Sequence, residues 1–462
     1  MGEWIDAAAA AERLGVKPAT LYAYVSRGVL RRRRDEAGRR SLFDAAQVEE
    51  LARKGRPRRR PGPTELAIES AVTALGPDRP YYRGRDALVL AAEHRFESVA
   101  EWLWTGDESA LAAAPAPEGS WRASEEGLRA ARAAQSGLPD GLLPLDRLQV
   151  ITTALAVTDP LRVHTDPEGV LVTARTLIAG MVDALPPARR LTGTVRNGPA
   201  ASGPPLVTGV LGASDDLAGE NGRPGGGDRP DEHGRPGGGA RGVTGPGASR
   251  ESIAARLWRA MCPDEPTPGL LRAFEAAMVL LADHELAAST LAARVAASVR
   301  ADPYAVVTAG LGVVSGPLHG GASYAAERLF AEAGEPGRVA RVIGDRLRAG
   351  ERIPGFGHPV YKSGDGRAAV LLGLVREAAP GHPRLAVADA VLAEAERRRL
   401  PAPNIDFALA LLGGVAGLVP GAGEAVFAVA RVAGWLAHAL EEYCGRSPLR
   451  PRAVYVGPPV PE

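Results

Sequence analysis

The sequence predicts a mostly α-helical protein, in which a small basic unit precedes a larger helical body. Three observations carry this. From Thr64 onward apolar residues recur at helical spacing in Ala-rich text punctuated by Gly and Pro, and strand alternation is nearly absent. At 462 residues, with 45% apolar and 24% charged side chains, the chain has material for two or three units. The net charge of +1 hides a split: residues 1–61 hold 15 Lys/Arg against 8 Asp/Glu, and the remainder is mildly acidic.

In the basic unit, Trp4-Ile5-Asp6 leads into a helix over Ala7–Leu14. Gly15 breaks it, and Pro18 opens a second helix running to about Arg27. On that helix Leu21 and Val25 are expected to share a buried face, with Thr20, Tyr24 and Arg27 on the other. Val29–Arg34, Asp35–Gly38 and Arg39–Phe43 read as strand, turn and strand, and a third helix runs from Asp44 to Lys54. These are the parts of a winged helix-turn-helix over residues 1–58, whose second helix would enter a major groove while the hairpin arginines neutralise phosphates. The expected DNA contacts are Lys17, Thr20, Tyr24, Arg27, Arg31 and Arg33. Ala10–Val16, Ala19–Tyr22 and Arg27–Leu30 resemble the DNA-binding domain of the mercury-resistance-regulator and excisionase type. Lys17 departs from it, standing where a capping Ser is usual. Residues 59–63 form a basic linker stiffened by proline.

The helical body is interrupted at residues 195–250, where Gly222–Gly227 recurs at Gly234–Gly239 and aliphatic residues are scarce. Such a composition cannot offset its chain entropy, so a disordered surface insert without a chemical role is expected. The uncharged run Phe407–Gly423 contains five Gly and a Pro and is bracketed by Asp406 and Glu424. It reads as two buried helices about a turn, not as a membrane span. Two cysteines exclude a disulfide scaffold, and Met1-Gly2-Glu3-Trp4 lacks the pattern of a secretion signal. A cytoplasmic protein with no membrane partner is expected.

Eight histidines are few enough to weigh singly. His94, His164, His382 and His438 read as surface or satisfied core histidines, and His233 falls in the insert. His284 precedes Glu285. His319 stands among glycines in Ser315–Ala322, ahead of a helix whose amide dipoles would face it. His358 lies in a Gly/Pro-rich loop, Arg352–Lys362, followed by Arg367. Asp406 interrupts an apolar helix, where a carboxylate is costly unless paired or functional and where burial raises its pKa toward that of a general base. Arg431 is the single charge in Ala425–Leu440. No histidine pair has metal-ligand spacing, so no metal is expected. Together these groups could remove a carbon-bound proton, polarise a carbonyl and hold several carboxylates.

Tyr81–Arg85, Phe96–Gly106, Asp283–Leu286, Gly316–Ala322, Pro354–Lys362, Asn404–Phe407, Ala430–Leu436 and Arg450–Arg452 resemble, in order, the motifs of the citrate synthase family. The likeness covers residues 64–462 apart from the insert. It implies a nearly all-α homodimer with a large domain (64–314 and 406–462) and a small one (315–405). It assigns catalysis to His319, His358 and Asp406, oxaloacetate binding to His284, His358, Arg367, Arg431 and Arg450 (the last reaching into the partner subunit), and contact with CoA to Gly355, Phe356 and Lys362. The implied reaction joins acetyl-CoA to oxaloacetate without a cofactor. Ala287 and Ser323 stand where the family usually has Asn, and Gly366 where it has Pro. Two other activities fit the residues: 2-methylcitrate synthesis from propionyl-CoA, and transcriptional regulation by a body that senses oxaloacetate or acyl-CoA.

Overall fold

A computed structural model describes residues 4–14, 21, 24–25, 30–34, 41–53, 68–112, 120–139, 141–189, 251–445, 447–452 and 457. The chain divides into two compact units, Met1–Glu69 with Pro451–Glu462, and Ser70–Arg450. The expected insert 195–250 and linker 59–63 lie outside the described residues.

In the first unit, Asp6 accepts a hydrogen bond from the Ala9 amide and so starts the helix Ala7–Leu14, while Asp44 does the same for Ala45–Arg53 through the amides of Ala46 and Gln47. The hairpin pairs Arg32–Arg34 with Ser41–Asp44 in antiparallel register, Arg33 opposite Leu42. A third strand, Trp4–Asp6, pairs on the other side of Ser41–Asp44. Sequence reading missed it because three residues are too few to display alternation.

Tyr24 requires a correction. Expected on the DNA-facing side with Thr20 and Arg27, it is 5% exposed and belongs to the core with Leu21, Leu30 and Phe43, whereas Val25 is half-buried. Positions 21, 24 and 25 are three and four apart, so one helical stripe carries all three, and the core takes the larger ring. Lys17, Thr20 and Arg27 lie outside the described residues. Arg31 and Arg33 are exposed, and the Arg33 guanidinium lies 4.5 Å from the centre of the Trp4 ring.

The second unit opens with a small antiparallel sheet, Thr73–Leu75, Pro80–Tyr82 and Arg85–Asp86. The buried Tyr82 hydroxyl lies 3.0 Å from the Val279 carbonyl and 3.1 Å from that of Asp283. This ties the sheet to the end of the helix Pro268–Leu281. The remainder is helical. Side-chain caps start most of these helices, and proline occupies the first turn of Pro144–Ala156, Pro167–Asp183, Pro268–Leu281, Pro303–Val314 and Pro383–Arg397.

At the centre runs Ala422–Cys444, 23 residues and about 34 Å long, buried along nearly its whole length. It packs against Ala288–Ser298, Pro303–Val314, Pro268–Leu281 and Phe96–Thr105. Gly434 permits close approach: a Cβ there would collide with Asp283 Oδ1, and its amide donates to the Ala282 carbonyl at 2.9 Å. The apolar run Phe407–Gly423 resolves into the helix Ile405–Ala416 and the start of Ala422–Cys444. Among the described residues no helix is long and apolar enough to cross a membrane.

Candidate active site

Where the helix Pro268–Leu281 ends, Asp283 and His284 turn inward. Asp283 Oδ2 lies 3.2 Å from His438 Nε2, and His438 Nδ1 lies 2.9 Å from Arg294 Nη1. His438 is therefore the satisfied core histidine that the sequence suggests. His284 is itself buried; its Nε2 meets the Tyr361 hydroxyl at 2.8 Å and its ring approaches His358 edge-on at 5.2 Å. Burial, then the charges of Arg367 and Arg431, hold this imidazole neutral, with its pKa well below the usual histidine value.

The His358 loop is stitched to the segment that precedes Asp406. Asn404 N–H donates to the Gly355 carbonyl (2.9 Å), Gly357 N–H to that of Ala402 (2.8 Å), and the Asn404 amide to that of Gly357 (2.9 Å). Gly355 has φ +83°, and a Cβ on it would stand 2.9 Å from Phe407 Cβ, so both backbone conformation and space demand glycine. His358 Nδ1 accepts from the amides of Val360 (3.1 Å) and Tyr361 (3.2 Å). The neutral ring must then carry its proton on Nε2. Burial, with help from Arg367 and Lys362, pulls the His358 pKa down to about 4. Tyr361 stacks on this ring at 4.5 Å, and the Arg367 guanidinium lies 5.4 Å from the centre of the Tyr361 ring.

His319 acquires the opposite tautomer. Ser289 Oγ receives the Trp435 indole N–H (3.3 Å) and lies 2.8 Å from His319 Nε2. The indole occupies one of the hydroxyl's two lone pairs, and His319 Nε2 is the one acceptor within reach of its O–H among the described residues; donating there leaves the proton of His319 on Nδ1. Burial, then the Arg431 charge, brings the His319 pKa down to about 4.

Asp406 stands in the first turn of Ile405–Ala416, capped by Asn404, whose Oδ1 accepts from the Asp406 amide. Its Oδ1 receives the Ser323 hydroxyl at 2.5 Å. Burial raises the Asp406 pKa to about 6, against the lowering effect of Ser323 and Arg367. Arg367 is buried and paired with Asp365 through two hydrogen bonds of 2.9 Å. Arg431 is buried too: Nε donates to the Leu281 carbonyl (2.7 Å), the guanidinium lies 4.6 Å from the Phe427 ring centre, and Nη1 has no hydrogen-bond partner among the described residues. It makes no ion pair among the described residues.

His284, His319, His358, Arg367, Asp406 and Arg431 thus share one electrostatic neighbourhood, since the field of Arg431 reaches His284 and His319, and that of Arg367 reaches His284, His358 and Asp406. Phe356 lies in the same loop, 5.3 Å from Phe407. Lys362 is exposed and donates to the His358 carbonyl at 3.4 Å, and Arg450 is exposed at the end of the second unit. Among the described residues no group of three or more His, Cys, Asp or Glu side chains is placed to hold a metal ion. Sequence reasoning missed Ser289, Tyr361, Asp365 and the hydrogen bond from Ser323. Asp365 alone carried a signal, an acid two residues before a charge that would otherwise be buried unpaired.

A family profile described as "Citrate synthase, C-terminal domain" matches residues 64–452, and one described as "Helix-turn-helix domain" matches residues 4–56. "Citrate synthase 2" of Bacillus subtilis (strain 168) is 40% identical over 202 residues, 42% of this chain and 53% of the relative. "2-methylcitrate synthase" of Mycobacterium tuberculosis (strain H37Rv) is 35% identical over 209 residues, 43% and 51% of the two chains. The chain spans about half the length of the curated relatives it matches. In fold it is similar to citrate synthase from Thermotoga maritima MSB8 (TM-score 0.61, 24% identity, 86% of this chain and 96% of that one). It is likewise similar to the Thermoplasma acidophilum enzyme in ternary complex with carboxymethyl coenzyme A and oxaloacetate (TM-score 0.63, 22% identity, the same coverage).

Proposed function

We propose that this chain, which belongs to the citrate synthase family, condenses acetyl-CoA with oxaloacetate to give citrate and free CoA. The observation that carries the reading is Arg431, a buried guanidinium whose Nη1 lacks a hydrogen-bond partner among the described residues and whose charge reaches the neutral imidazoles of His284 and His319. A buried cation of this kind calls for an anion, and a keto-diacid supplies one.

Asp406, as carboxylate, takes a proton from the acetyl methyl group. His319 Nδ1–H donates to the thioester oxygen, where negative charge develops as the enolate forms. The enolate carbon then attacks the ketone carbon, and His358 Nε2–H donates to the ketone oxygen and protonates it as the bond closes. Water cleaves the resulting thioester. His284, Arg367 and Arg431 hold the substrate carboxylates, with Arg450 contributed by the partner subunit of a homodimer, and Gly355, Phe356 and Lys362 face the CoA. Residues 315–405 act as the small domain, closing on 64–314 and 406–462 to exclude water. No cofactor beyond the two substrates enters this scheme.

The test is release of free thiol from acetyl-CoA and oxaloacetate by the purified chain, with Asp406→Ala as control. Turnover no greater than the control defeats the reading. Propionyl-CoA is assayed in parallel, since one methylene changes binding by about 1–3 kcal/mol. A higher kcat/KM for propionyl-CoA makes the protein a 2-methylcitrate synthase.

A second reading, DNA binding by residues 1–58, is favoured by the exposed wing arginines Arg31–Arg34 and the helix-turn-helix match. Retention of DNA fragments at physiological salt, altered by oxaloacetate, supports a regulator. Uniform binding that vanishes at moderate salt leaves only a nonspecific electrostatic role.

A further inference from the structure

The hydrogen bond between Ser323 and Asp406 has a geometry that a general structural contact does not require. Ser323 is 2% exposed and lies in the first turn of Gly321–Ala333, directly after the His319 loop. Its hydroxyl reaches one oxygen of Asp406, Oδ1, and Oδ2 has no hydrogen-bond partner among the described residues. The Asp406 main chain is fixed separately, through Asn404 Oδ1. One carboxylate oxygen is therefore anchored and the other left open.

We propose that Ser323 is the positioning residue for Asp406: its hydroxyl fixes the carboxylate rotamer through Oδ1, favours the ionised form, and leaves Oδ2 as the oxygen that accepts the substrate proton. This rests on the condensing reaction proposed above. A donor to a carboxylate lowers its pKa, and loss of a hydrogen bond to a charged group shifts it by about one to two pH units. Other groups also act on Asp406. Arg367 favours its ionisation and Asp365 opposes it; Glu424, which feels Asp406 and Glu327, adds a further like charge, and Arg384 packs farther along the same helix at Gly414. Ser323→Ala removes none of these side chains.

In the full-length chain, Ser323→Ala should move the acid limb of the kcat profile upward by about one pH unit. It should lower kcat at neutral pH while leaving KM for acetyl-CoA within about twofold, because ground-state binding is untouched. Ser323→Thr and Ser323→Asn keep a donor and should return the limb toward the parent position. A limb that stays put in Ser323→Ala overturns the proposal. So does failure of both donor-bearing variants to restore it.

The carboxyl band of Asp406, isolated by infrared difference against Asp406→Asn and titrated in the unliganded protein, reads the same shift without turnover. If the parent chain releases no thiol, the condensing reading fails while this titration still decides the role of Ser323. Should Ser323→Ala not fold, Ser323→Cys, close in size and a weak donor, must show a shift in the same direction or the proposal falls.

Discussion

Asp365 and Arg367, two residues apart, form a doubly hydrogen-bonded ion pair with both side chains almost fully buried. Asp365 also accepts from the amides of Arg367 (3.1 Å) and Ile405 (3.1 Å), so one carboxylate starts the helix Gly366–Ala378 and ties it to the base of Ile405–Ala416. Asp365→Ala leaves a buried guanidinium unpaired and should cost about 3–5 kcal/mol of stability. Urea unfolding measures this directly. A loss below about 1 kcal/mol would show that water or another acid replaces the carboxylate.

Activity should rise with pH through about 6, as Asp406 loses its proton. His319 and His358 are already neutral there, their pKa values being held down to about 4. A kcat profile from pH 4.5 to 8 tests this, and an acid limb centred near pH 4 would mean that burial does not govern Asp406.

The same shift has a sign for stability. The Asp406 pKa is raised from its ordinary 3.8 in the folded chain, so the fold favours the protonated carboxyl. That contribution is intact below 3.8 and disappears as pH climbs through about 6. Asp406→Asn should therefore stabilise the inactive chain at pH 8, by about 3 kcal/mol, and change little at pH 4. Thermal melts at the two pH values make the comparison.

Gly355→Ala places a methyl group 2.9 Å from Phe407 Cβ at a residue with φ +83°. The loop must then part from Asn404, carrying His358 away from Asp406. We expect a cost of about 1–3 kcal/mol and a fall in kcat of at least tenfold. Parent-like turnover would show that the loop relaxes without moving His358.

Tyr361→Phe removes the hydroxyl that meets His284 Nε2 and preserves the ring stacked on His358. KM for oxaloacetate should rise several-fold with little change in Tm, since one hydrogen bond is worth about 1 kcal/mol. Unchanged KM would place His284 outside substrate binding.

Much of this was legible in the text of the chain. Asp406 and Arg431 each break an apolar run, and a charge in such a place announces either a partner or a task. The glycines around His358 announced tight backbone approach. Tyr24 misled, because a helix with apolar residues at 21 and 25 also buries position 24, and no local pattern decides which member of such a stripe stays wet. The three-residue strands Trp4–Asp6 and Thr73–Leu75 are too short for any period to reveal them.

Residue order alone determined the helical body, the basic unit ahead of it, and the few titratable side chains that could perform the chemistry, because periodicity and misplaced charge are properties of neighbours along the chain. Only the tertiary structure decided the protonation of His319 and His358, through Ser289 and Trp435 for one and two backbone amides for the other. Only it joined Ser323 to Asp406, across 83 positions. A hydrogen bond depends on distance and direction in space, and helical spacing in the sequence carries neither for residues that meet from different helices.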